Sequence, residues 1–205
     1  MEVRFLNVTA VTTEQIALWE SWLTQEKRQR LEQMTPQRRR QSLCGDALAR
    51  QMLATVLGIA PQDVAFTYTK SGKPLVNGAY FSISHSGDLV GCVVSEYPIG
   101  LDVEQIRSAP PRLCRALDAE GKGDREFFQL WTKREAHLKC RGETVAKWRN
   151  QDWQQENYKF SMPEVPIIHP DSRTYRPQLP AETLRSCNCL KEISGCSSRY
   201  KSNCS

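Results

Sequence analysis

Phe81-Ser-Ile-Ser-His-Ser-Gly-Asp-Leu-Val-Gly-Cys-Val-Val94 is the stretch whose reading decides the fold. Phe81, Ile83 and His85 alternate with Ser82, Ser84 and Ser86, the period of a strand with one buried and one polar face. Gly87-Asp88 can close a tight turn, and Leu89 to Val94 reads as the returning strand. Beyond Pro98, Ile99-Gly-Leu-Asp-Val-Glu104 alternates again and reads as a further strand. With Val64-Ala-Phe-Thr-Tyr68 as an earlier strand and Ser71-Gly-Lys-Pro74 as a loop, the spacing predicts a short antiparallel meander. Asp102 and Glu104, two residues apart on its last strand, point the same way.

Helical spacing flanks this section on both sides. Residues 3–11 read as a strand, after which Thr12 and Thr13 can cap a helix bearing Ile16, Trp19 and Leu23, with polar residues through Arg30. Thr35-Pro36 reads as an N-cap followed by proline at the first helical position. The helix it starts carries Leu48, Met52, Val56 and Leu53, Leu57 at four-residue intervals, and Gly58 is placed to end it. Arg38, Arg39 and Arg40 occupy its first turns. On the other side, Pro110-Pro111 ends the strand section. A helix is expected from near Asp124 to about Arg141, with Phe127, Phe128, Trp131 and Leu138 buried and Gly142 at its end. In Trp131-Thr-Lys-Arg-Glu-Ala-His-Leu-Lys139, four-residue spacing puts Trp131, Glu135 and Lys139 on one stripe. A carboxylate on such a stripe is costly unless paired or metal-bound. Trp153 to Phe160 suggests one more strand. After Pro163 the prolines crowd, periodicity fades, and residues 163–205 are expected to be poorly structured or atypically folded.

Composition narrows the class. Hydrophobic residues at 40% and charged residues at 25% are those of a globular chain. No apolar run has the length of a bilayer span and the N-terminus lacks a secretory leader, so a cytosolic location is expected. The net charge of +5 suits an anionic partner. Cys44, Cys92, Cys114 and Cys140 are spaced as reduced core or half-buried thiols. Cys187, Cys189, Cys196 and Cys204 crowd near the end without the paired C-x-x-C spacing or nearby histidines of a zinc site.

Asp102, Glu104 and Glu135 form a candidate chemical centre. Two carboxylates presented together repel unless a positive charge lies between them, and a third aimed at the same point suits a hard divalent cation. Walker and Gly-x-Gly-x-x-Gly phosphate loops are absent, as is a Gly-x-Ser-x-Gly elbow that would present a nucleophilic serine.

Four motifs occur in order: Gly72-Lys-Pro74, Phe81-Ser-Ile-Ser-His-Ser-Gly87, Ile99-Gly-Leu-Asp-Val-Glu104 and Leu130-Trp-Thr-Lys-Arg-Glu-Ala-His-Leu-Lys139. Together they make the chain, over roughly residues 38–145, resemble the 4′-phosphopantetheinyl transferases. The likeness is to the monomeric type that activates surfactin-like synthetases and to the related holo-acyl-carrier-protein synthases. The resemblance implies an α+β fold of two pseudo-symmetric α/β subdomains with the ligands in the cleft between them. It implies a first subdomain over 1–97, a second carrying the metal site over 98–162, and an atypical Pro/Cys/Ser-rich tail over 163–205. The family's second half continues with several more strands. Here the alternating pattern stops near Phe160, so the second subdomain is expected to be incomplete, and the abrupt change is what a shifted reading frame would leave.

The resemblance also implies an activity: Mg²⁺-dependent transfer of phosphopantetheine from coenzyme A to a serine of an apo acyl or peptidyl carrier protein, with release of adenosine 3′,5′-bisphosphate. It assigns Asp102, Glu104 and Glu135 to the metal, Lys139 to the pyrophosphate, and Glu135 to removal of the serine's proton. Lys73, Ser84 and His85 fall at positions for the coenzyme's phosphates, and Arg40 and its basic neighbours at the same end. Arg134 departs from the family, which has lysine immediately before the glutamate; here Lys133 precedes the arginine. Neither nucleic acid nor membrane is expected as a partner. The alternative is a non-catalytic relative that binds coenzyme A or a carrier protein. A basic nucleic-acid module would lack a recognition motif, and Trp19 and Trp22 read as core.

Overall fold

Thr12 begins the helical part of the chain as expected. In the computed structural model, which describes residues 1–143 apart from Ser71 and Asp118, its hydroxyl accepts from Gln15 N while Gln15 Oε1 accepts from Thr12 N. This reciprocal pair starts α1 (Thr13–Ser21). The expected single helix through Arg30 is two helices. Thr24 is extended, ends the first run and caps α2 (Gln25–Glu32) by accepting from Lys27 N. Trp19 and Leu23 are buried and Trp22 packs against the same core. Thr35 and Pro36 start α3 (Pro36–Leu57), which Gly58 ends in the left-handed conformation with φ 68°.

Three strands form the sheet: β1 (Glu2–Asn7), β4 (Tyr80–Ser86) and β5 (Leu89–Ser95), in the order β1-β5-β4 and antiparallel throughout. β1 is shorter than the expected 3–11, giving way to a 3₁₀ turn at Val8–Ala10. Gly87 and Asp88 close the β4–β5 hairpin, with Ser86 opposite Leu89. The pairing of β1 with β5 is long-range and departs from the expected meander. The expected strand at residues 64–68 contracts to β2 (Thr67–Tyr68), which pairs only with β3 (Pro74–Leu75) in a separate ribbon. Before it, a 3₁₀ turn at Pro61–Asp63 leads to a buried Val64 whose carbonyl accepts from Arg50 Nη1 at 2.7 Å. Arg50 Nε also donates to Asp46 Oδ1 at 2.6 Å, so this buried pair ties α3 to the turn beside it.

β5 is covered on both faces. Val90, Cys92 and Val94 join Cys44, Ala49, Met52 and Leu53 of α3 in the main core. On the other face Val93 packs with Ile99, Leu101 and Val103, with Val3, Phe5 and Leu89 at the margin. The segment 99–104 was expected to be the sheet's next strand, but it is not one. It lies over the sheet's second face and is held there by side chains. Val103 N donates to Ser84 Oγ and Gln105 N to Ser86 Oγ, at 3.1 and 3.0 Å. Serine hydroxyls thus satisfy amides that a ladder would otherwise take.

Two helices follow. Pro110-Pro111, expected as a break, opens α4 (Pro111–Ala116), because proline fits a helix's first position. α5 (Asp124–Arg141) has the expected extent and ends at Gly142, with φ 71°. Phe127 and Phe128 are buried with Ala119, against Ile106, Leu113 and Trp131. The architecture is α+β. None of its helices is long and apolar enough to cross a membrane among the described residues. The expected strand at 153–160, the 163–205 tail and its cysteines lie outside those residues. Cys44, Cys92, Cys114 and Cys140 are free thiols, the first two buried and the others half-buried, as their spacing predicted. Burial pushes the Cys44 thiol up to about 11.

Gly100 sets how closely α5 approaches the 99–104 segment. A Cβ built there would lie 1.8 Å from the Ala136 carbonyl oxygen and 2.6 Å from Cys140 N. Both are backbone atoms, which cannot turn aside. Gly100→Ala is expected to lower stability by about 3 kcal/mol, the upper end for overpacking a tight site. Thermal or denaturant unfolding measures it, and an unchanged midpoint would show that the helix does not sit this close.

Candidate active site

The polar face of β4 builds the site. Ser84 Oγ donates to Asp102 Oδ1 at 2.9 Å while accepting from Val103 N. Ser86 Oγ donates to Glu104 Oε2 at 3.0 Å while accepting from Gln105 N. Two residues apart on the strand, the serines hold two carboxylates two residues apart on the facing segment. Each hydroxyl binds a carboxylate and the next amide, so the alternation of both segments produces the repeat.

α5 brings the third side of the site. Lys139 Nζ donates to Asp102 Oδ1 at 2.6 Å and to Ser84 Oγ at 2.9 Å. Asp102 is buried at 4% exposure, while the lysine side chain retains 30%; the pair therefore stands at the edge of the site, with its cation toward solvent. One turn earlier on the helix, Glu135 is half-buried. Burial raises its proton affinity above the ordinary carboxylate value, and Asp102 and, less strongly, Glu104 add to this against the opposing pull of Lys139. Trp131, on the same stripe, donates Nε1–H to Glu104 Oε1 at 3.3 Å.

The oxygen donors suit a hard cation. Asp102 Oδ2 is buried and has no hydrogen-bond partner, the condition a cation would relieve. Both oxygens of Glu104 are already engaged by Ser86 and Trp131. Among the described residues no three of His, Cys, Asp and Glu are gathered closely enough to hold a metal ion. The structure thus links the three expected carboxylates electrostatically without closing them into a cluster.

His85 points the other way from Ser84, toward α3. Arg38 Nη1 lies 2.6 Å from His85 Nε2. Burial first, then Arg38 and Lys139, push the imidazole down to about 4, so the neutral ring accepts the guanidinium proton. Arg40 lies elsewhere: Nε donates to Val8 O and Nη2 to Val11 O, at 2.8 and 2.9 Å, which fastens α3 to the end of β1. The arginine that meets His85 is therefore Arg38. Its signal in the sequence is helical spacing, because Arg38, Gln41 and Gly45 form one stripe. Gln41 Nε2 donates to Gly87 O, and a Cβ on Gly45 would meet Ile83 and Val90; the stripe faces the hairpin. Lys73 Nζ donates to the carbonyl oxygens of Lys139 and Cys140, the second at 3.2 Å.

Residues 10–97 match the family described as 4′-phosphopantetheinyl transferase, N-terminal. The chain is 35% identical over 133 residues to 4′-phosphopantetheinyl transferase HetI of Nostoc sp., an alignment covering 55% of this chain and 56% of that protein. It is 30% identical over 128 residues to 4′-phosphopantetheinyl transferase Gsp of Aneurinibacillus migulanus, covering 57% and 54%. To 4′-phosphopantetheinyl transferase Sfp of Bacillus subtilis it is 28% identical over 119 residues, covering 51% and 53%. These matches bear out the resemblance carried by the four motifs: the chain is similar to the 4′-phosphopantetheinyl transferase superfamily and to its surfactin-activating type. It spans about half the length of the curated relatives it matches.

Arg38→Met removes one of the charges that depress His85. The His85 pKa should rise from about 4 toward its ordinary value but stop short of it, because burial, the larger cause, remains. A proton-detected titration of the imidazole measures this. An unmoved His85 would mean that the arginine does not sit against the ring. In the wild type the folded pKa lies below the unfolded one. The His85 contribution to stability is therefore complete above about pH 6.5 and is lost as pH falls toward about 4.

Proposed function

We propose that this chain moves the 4′-phosphopantetheine group of coenzyme A onto a serine of an apo acyl or peptidyl carrier protein in the cytosol, releasing adenosine 3′,5′-bisphosphate. The observation that carries this reading is the meeting of Lys139, Asp102 and Ser84 at the edge of the Glu104 and Glu135 carboxylates, in a chain similar to proteins named as such transferases. In this reading Asp102, Glu104 and Glu135, not gathered into a cluster in the free protein, are the residues that would hold Mg²⁺, which when bound would offset pyrophosphate charge and polarise the reacting phosphorus.

The remaining steps fall to the chain's own residues. Lys139 places a cation where negative charge develops on the leaving bisphosphate. Arg38, ordered against neutral His85, supplies a second cation, with Lys73 also toward the coenzyme, while Arg40 is engaged by the Val8 and Val11 carbonyls. Glu135, its proton affinity already raised, accepts the hydroxyl proton of the carrier serine. The serine oxygen bonds to the β-phosphorus as the bond to the α-phosphate side of the pyrophosphate breaks. Carrier proteins of this class are generally acidic, so the +5 charge favours their approach. The two-halved arrangement, divided near residues 97 and 98, and a monomeric state belong to the same proposal.

Incubation with coenzyme A, Mg²⁺ and an apo carrier protein should give a carrier mass gain equal to phosphopantetheine, together with adenosine bisphosphate. Asp102→Ala and Glu135→Ala are each expected to lower the rate by about 100-fold or more while leaving a cooperative melting transition. Near-wild-type transfer by either variant would defeat the metal assignment, and coenzyme A binding without transfer by the wild type would defeat the activity.

A further inference from the structure

Lys73 stands at the loop joining β2 to β3, yet its ammonium is engaged on another element. The loop fixes the point from which the side chain leaves. Thr69 N donates to Lys73 O and Gly72 N to Thr69 O, both at 2.9 Å, and Lys73 N donates to Thr69 Oγ1 at 3.0 Å. From there the stem crosses to the last turn of α5. The ammonium meets the carbonyl oxygens of Lys139 and Cys140, at the end of the helix where backbone carbonyls run short of intrahelical donors. A cation is favoured there by the helix dipole as well as by the hydrogen bonds. The carbonyl it grips belongs to Lys139, whose own ammonium lies on Asp102 and Ser84.

We infer that Lys73 is a latch, a positioning residue that fastens the β2–β3 ribbon to the end of α5 and so holds Lys139 over Asp102. The latch is a property of the free protein; only its effect on turnover rests on the transferase reading. Two of the three ammonium donors are used on the helix, so Lys73 places a second lysine and keeps one donor for an anion. Gly100 lets the backbone from Ala136 to Cys140 come close to the carboxylate segment but makes no bond to it. Lys73 holds the helix end, where Lys139 sits.

The test compares wild type with Lys73→Met, which keeps the stem and removes the charge, by hydrogen exchange of the full chain. Exchange across residues 138–143 should speed up about tenfold, since a cation at a helix end protects the last turn. Exchange at 127–132 should not change, and Lys73→Arg should restore protection. In transfer assays Lys73→Met should lower kcat about tenfold with the KM for coenzyme A moving less than about twofold. Unchanged exchange at 138–143 would overturn the latch. A raised KM with undiminished kcat would also overturn it, marking Lys73 as a phosphate ligand alone. If the wild type does not transfer, the proposed activity fails and the exchange comparison still decides the latch. Should Lys73→Met not fold, Lys73→Gln is read by the same exchange, with faster exchange expected and unchanged exchange overturning the proposal.

Discussion

A carboxylate out of water must be answered by charge or by hydrogen bonds, and Asp102 obtains both from two different elements. Ser84 reaches it from β4 and Lys139 from the last of the described helices. Removing the half-exposed lysine would leave the buried Asp102 charge uncompensated. The same interaction therefore fixes the height of α5 over the sheet, the position of the 99–104 segment and the place where the cation faces solvent. The close contact at Gly100 permits this arrangement, and the ion pair selects it.

The geometry separates two kinds of basic residue that composition cannot distinguish. Arg40 and Arg50 spend their guanidinium groups on backbone carbonyls and Asp46, and Arg39 pairs with Glu20. Arg38 instead meets the His85 ring, and Lys139 meets Asp102 and Ser84. The surplus of positive charge is thus partly structural cement, and only a few cations lie close to the carboxylates.

Features governed by nearby residues were legible in the sequence. Thr12, Thr35, Gly58 and Gly142 mark helix ends through hydrogen bonds within a few residues. Helical spacing was enough to place Glu135 and Lys139 on one stripe. Features set by distant partners were not. The pairing of β1 with β5 joins the chain's start to residue 94, and no local pattern announces it. The segment 99–104 has a strand's alternation, yet that pattern reports only that two faces differ. It does not say whether an edge or a pair of hydroxyls will hold the backbone. A run of three arginines carries no directional cue, and that Arg38 is the one that meets His85 emerges only when the stripe to Gln41 and Gly45 is followed.

The paired serines also act as a ruler. Backbone ladders repeat identically, so a strand can slip along its neighbour and still satisfy its amides. Here each rung ends in a different acid, a short aspartate beneath Lys139 and a longer glutamate beneath Trp131. A slip of two residues would bring Glu104 to Ser84 and set Ile106 opposite Ser86, leaving that hydroxyl without an acid and the indole without its acceptor. It would also thrust an extra methylene under the lysine. The order of Asp102, Glu104 and Ile106 gives the segment a single reading position.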